Sequence, residues 1–156
     1  MRALAVGVCA AALGLFAAVP AQATDQTLRT TIRQQEHQFK PDAKAFDKAV
    51  AKADTVQDLI ATKQPAQQLA TDAGNFSNAV SAQQASTKRV QRGQKVLVKA
   101  LGEFAGGLNN YVAAINQLEQ NQSDTTVKKT LRVSLRQLAR ANRDSARAGK
   151  LIGMKL

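Results

Sequence analysis

The chain has no tryptophan, one tyrosine, one histidine, one cysteine and three prolines, and each shortage removes a class of explanation. The cysteine, Cys9, sits in an apolar run at the start, so the rest of the chain holds no thiol. Disulfides, thiolate metal sites and cysteine nucleophiles are excluded there together. A lone His37, with Glu36 beside it, leaves no second imidazole for a metal centre in a helical core and no base for a serine triad. No aromatic follows Tyr111, so stacking platforms for single-stranded nucleic acid are missing where positive charge collects. Aromatic and β-branched residues are too sparse for a sheet protein, and alanine supplies much of the apolar content. The expected product is helical, non-enzymatic and free of cofactor or metal.

What the chain does have begins with a leader. Met1-Arg2 is a short positive start, Ala3 to Val19 is apolar throughout, and Pro20 precedes Ala21-Gln22-Ala23, a small-x-small cleavage signature. The apolar run is shorter than the roughly 20 residues of a membrane span. Residues 1–23 therefore read as a cleaved secretion signal and 24–156 as one helical domain, exported to an extracytoplasmic or secreted location.

From Leu69 to Leu118 the apolar pattern keeps a seven-residue beat. Leu69, Phe76, Gln83, Val90, Leu97, Phe104, Tyr111 and Leu118 form one row; Ala73, Val80, Thr87, Gln94, Leu101, Leu108 and Ile115 form the other. Such a seam argues for helices packed at shallow angles. It turns polar at Gln83, Thr87 and Gln94, which predicts a break near 81–88 rather than one helix over 65–120. An earlier stripe, Leu28, Ile32, Phe39, Phe46, Val50, Ala53 and Ile60, is interrupted by Pro41. The spacing predicts helices over 25–62 (kinked at Pro41), 65 to about 84, about 88–120 and 124 to about 150. Short connections make sequence neighbours antiparallel, so the fold class is all-α, an up-and-down four-helix bundle.

Charge is placed unevenly. Residues 24–87 carry seven basic and seven acidic side chains, whereas residues 88–156 carry fourteen and four. On a helix at about 100° per residue, Lys129, Arg132, Arg136, Arg140, Arg143, Arg147 and Lys150 fill a stripe about 80° wide. Val127, Leu131, Leu135 and Leu138 fall opposite, as a core face. The preceding helix has its own row, Lys88, Arg92, Lys95 and Lys99. Folding the hairpin about residue 122 pairs position i with about 244 minus i, which brings the two rows together at the end away from the turn. The candidate anion-binding patch is Lys88, Arg89, Arg92, Lys95, Lys99, Arg136, Arg140, Arg143, Arg147 and Lys150. Its expected partners are anionic lipid headgroups or a cell-wall polymer, with duplex nucleic acid less suited to an exported protein. The plain alternative is a solvated face, partly paired with acids from the neutral half.

Two other features suggest interaction between helices. Gly102 and Gly106, one turn apart on the outward face of LGEFAGGLNNY, suit a close crossing or a homo-oligomer contact; otherwise they only weaken the helix, by about 1 kcal/mol each. Gly93 reads the same way. An interaction or structural protein working through helix–helix contacts is therefore the competing function. Asp54 and Asp58, one turn apart, read as helix-surface residues rather than a cation site.

Overall fold

A computed structural model describes residues 21–156. Residues 1–20, with the apolar run and Cys9, lie outside the described residues, and the expected cut after Ala23 falls in the first turn of the first helix. The described chain is helical, in the order α1 (Ala21–Ala51), α2 (Val56–Ala61), α3 (Lys63–Ser81), α4 (Lys88–Glu119) and α5 (Asp124–Ile152). The four long helices make the up-and-down bundle, with α2 as a single short insertion.

α1 runs through the exposed Pro41 as one element and ends earlier than the apolar stripe suggests. The reason lies in residues 55–58. Thr55 accepts from the Asp58 backbone while the Asp58 carboxylate accepts from the Thr55 N–H at 3.0 Å, a reciprocal cap that starts a new helix. Asp58 is thus a capping residue, not a helix-surface partner of Asp54. Its carboxyl is held below the usual range by the Thr55 hydroxyl, which donates to it at 2.7 Å, and by the Thr55 N–H.

The break at 82–87 is real, and the polar seam residues build it. Gln94 donates from Nε2 to the Val80 and Gln83 carbonyls, both at 2.7 Å, closing the end of α3. Thr87 caps α4 through Val90 N–H, and Ser123 caps α5 through Thr126 N–H. A single helix over 65–120 is excluded.

α3 lies antiparallel to α1 and to α4, and α5 antiparallel to α4. Aromatic contacts fix the diagonal. Phe39 meets Phe104 (ring centroids 5.6 Å) and Phe46 meets Tyr111 (5.5 Å), the same offset in sequence, so α1 and α4 run parallel across the bundle. Phe39 also meets Phe76 and joins two core clusters. One holds Leu28, Ile32, Val80, Val90, Leu97 and Ile152; the other holds Phe46, Leu69, Leu108 and Val112. Tyr111 hydrogen-bonds Thr62 at 2.7 Å, so its hydroxyl is satisfied where the ring is packed.

One buried acid ties the start of α1 to the α3–α4 turn. Asp25 is 4% exposed and accepts from Ser86 N–H (2.8 Å), Thr87 N–H (3.4 Å) and the Thr87 hydroxyl (2.8 Å). Burial pushes its carboxyl up, but those hydrogen bonds and the Arg29 charge outweigh burial and hold it below the ordinary value of 3.8. A folded-state pKa below the unfolded one contributes stability that is present above the unfolded pKa and lost as pH falls through the folded one. Asp25→Ala is accordingly expected to cost about 2 kcal/mol at neutral pH, the worth of hydrogen bonds to a charged group. That loss should shrink as pH falls through the lowered folded-state pKa and the native carboxylate is itself protonated. Urea unfolding of both proteins at several pH values measures it.

A candidate anion-binding face

The α4–α5 interface decides where the basic residues stand. It is built from small residues. Gly93 faces Ile152 and Leu151, Gly107 faces Leu138, and Ala100, Ala141 and Ala148 are buried. Ser134, fully buried, donates to the Gly107 carbonyl at 2.8 Å. These pairs follow the register expected from a turn at residue 122. A Cβ on Gly93 would lie 2.7 Å from Ile152 Cγ1 and 2.9 Å from Leu151 Cβ, so glycine there is what lets the helices approach. At Gly102 there is nothing within 4 Å and at Gly106 only a Gln137 amide at 3.9 Å. The close crossing therefore uses Gly93 and Gly107, not the outward pair.

Because α5 meets α4 through its small residues, its leucines are turned aside. Val127 is buried as expected, but Leu131 and Leu138 are half-buried and Leu135 is 64% exposed. The expectation of Leu135 as a core residue fails. Spacing gave the right apolar stripe, but the packed face is rotated from it toward Ser134, Ala141 and Ala148.

All ten patch residues are exposed. The two rows flank the α4–α5 seam, and two contacts tie them across it. Glu103 Oε1 lies 3.8 Å from both Lys99 Nζ and Arg140 Nη1, and Arg89 donates to the Lys150 carbonyl at 2.9 Å. Arg89 thus also satisfies one of the last carbonyls of α5. Among the described residues no ion pair reaches Lys88, Arg92, Lys95, Arg136, Arg143, Arg147 or Lys150. In the neutral half Glu36 pairs with Lys40, and Lys63 of that half is met by Glu119 of α4. Lys129 and Arg132 continue the α5 stripe toward the turn, exposed as well.

Glu103 is a carboxylate set between the rows, only 18% exposed, with Oε2 buried and without a hydrogen-bond partner. At 3.8 Å from each cation it offsets the charge weakly. Glu103→Gln is expected to strengthen attachment to an anionic surface about fivefold, about 1 kcal/mol for one unit of charge. Vesicle binding at low salt measures it.

His37 is exposed on α1. Among the described residues no three His, Cys, Asp or Glu side chains gather as metal ligands, and no helix is long and apolar enough to cross a membrane. Comparison of the chain with protein-family models, with curated proteins and with solved structures found no match.

Proposed function

We propose that this is an exported, non-catalytic bundle that attaches to a surface of clustered anions, lipid headgroups or a wall polymer, through the basic face of α4 and α5. The observation that carries this reading is the seven exposed cations that stand outside every ion pair among the described residues, held together by a backbone-close seam. Bringing like charges together raises the electrostatic free energy of the folded chain, and a counter-charge from outside relieves it. Each Lys or Arg near an anionic membrane surface contributes about 1 kcal/mol, so about six give attachment in the range of tens of micromolar and about eight reach micromolar.

Titration against anionic liposomes, neutral liposomes, heparin and duplex DNA at two salt concentrations tests the reading. Binding to an anionic surface that weakens steeply with salt supports it; equal binding to neutral liposomes, or none at all, overturns it. The liposome and heparin arms separate a lipid surface from a polymer.

A further inference from the structure

The bundle is not closed evenly. α1 and α5 stand next to each other yet approach far less closely than the other neighbouring pairs, leaving a trough of about 550 Å³ between them. Its floor is apolar, with Leu69, Leu101, Phe104 and Leu108 beneath and Phe39, Phe46 and Leu138 on the walls. We infer that this trough binds one linear aliphatic chain bearing an anionic head, of the long-chain fatty acid class, with the head at the Asn142–Ser145 end. The site is separate from the basic α4–α5 face and does not rest on its function.

Size and shape come first. The volume lies within the range of small-molecule pockets, roughly 300–1,000 Å³. The lining runs from Phe39 to Asp47 on α1 and from Leu135 to Ser145 on α5. At 1.5 Å per residue that is a length of about 12–15 Å along the helices. A groove drawn out along two antiparallel helices suits an extended chain, which gains about 0.8 kcal/mol per buried methylene.

The lining also explains why the leucines of α5 are turned from the α4 interface. Leu135, exposed on the lip, and half-buried Leu138, Phe39 and Phe104 leave apolar surface in water that an aliphatic occupant would cover. The polar lining residues are confined to the two ends, Asp47 at one, Asn142 and Ser145 at the other. A chain laid between them buries no unpaired polar group.

Charge sets the direction. The Asp47 carboxylate repels an anionic head from its end. At the other end, Asn142 and Ser145 offer an amide and a hydroxyl as donors. Glu36, the acid on α1 near that level, is already matched by Lys40 at 2.8 Å.

Fluorescence titration with cis-parinaric acid, followed by displacement with palmitate, tests the assignment on the whole protein. Saturable binding of one probe per chain and full displacement are expected. Ala43→Phe, which fills the trough from α1, is expected to weaken binding about tenfold, the burial of about two methylenes. Asn142→Asp, close in shape and exposed, sets a carboxylate beside the head and is expected to weaken it about fivefold even if Ala43→Phe does not fold. Binding without saturation overturns the site, as does an Asn142→Asp protein that binds unchanged. Displacement by dodecyltrimethylammonium as effective as that by palmitate overturns the anionic head. Failure here leaves the basic face standing, because the parinarate signal reads the trough and the salt-dependent liposome titration reads the face.

Discussion

Reversal of Arg136, Arg140, Arg143 and Arg147 to glutamate is expected to cut affinity for anionic liposomes about a thousandfold at low salt. The magnitude follows from four cations lost at about 1 kcal/mol each, and repulsion by the new carboxylates adds to it. The fold should survive the change. All four side chains are exposed, and three are outside every ion pair of the described residues. Arg140 gives up only a 3.8 Å approach to Glu103, and glutamate is about as good a helix former as arginine. An unchanged helical circular dichroism signal, with co-sedimentation lost, is the expected pair of results. Co-sedimentation that persists at wild-type level would show that the stripe on α5 is only solvated.

The second large effect concerns stability. Gly93→Val is expected to lower the unfolding free energy by about 3 kcal/mol, at the upper end of overpacking costs. Three atoms stand within 3.2 Å of the added Cβ, and one of them, the Ile152 amide nitrogen, is backbone and cannot swing away. Gly102→Ala is the control on the same helix. With no neighbour inside 4 Å, it should gain about 1 kcal/mol from helix propensity alone. Thermal or urea unfolding of both variants decides the matter. If Gly93→Val were as stable as the parent, the closeness of the α4–α5 crossing would be disproved, and with it the convergence of the two basic rows.

These two glycines also show where reading the sequence stops. A heptad seam, its polar positions and the short connections were enough for the bundle, the turn at 82–87 and the hairpin register, because each is a local or periodic signal. The roles of Gly93 and Gly102 were not separable, since both are glycines in helical sequence and only the partner helix distinguishes them. Leu135 was misplaced for a related reason. A period of 3.6 identifies an apolar stripe, whereas the face that packs depends on which neighbour approaches most closely, and small residues won. Ser134, Ala141 and Ala148 carry little hydropathy signal, so that rotation, and the trough it opens, were invisible. Asp25 was missed because nothing in residues 24–26 announces a partner sixty positions away. The short α2 could have been found: Thr55 and Asp58 at capping-box spacing were legible, but the apolar stripe running through Ile60 overrode them.

The glycine, alanine and serine seam has one more implication. It fastens two cationic rods along their length, so coulombic repulsion is a standing tax on the native state. A multivalent counter-ion lying across the seam lifts that tax only in the folded form. On the proposed attachment, docking and folding share a free-energy term, and the protein is expected to resist unfolding most when bound to an anionic surface.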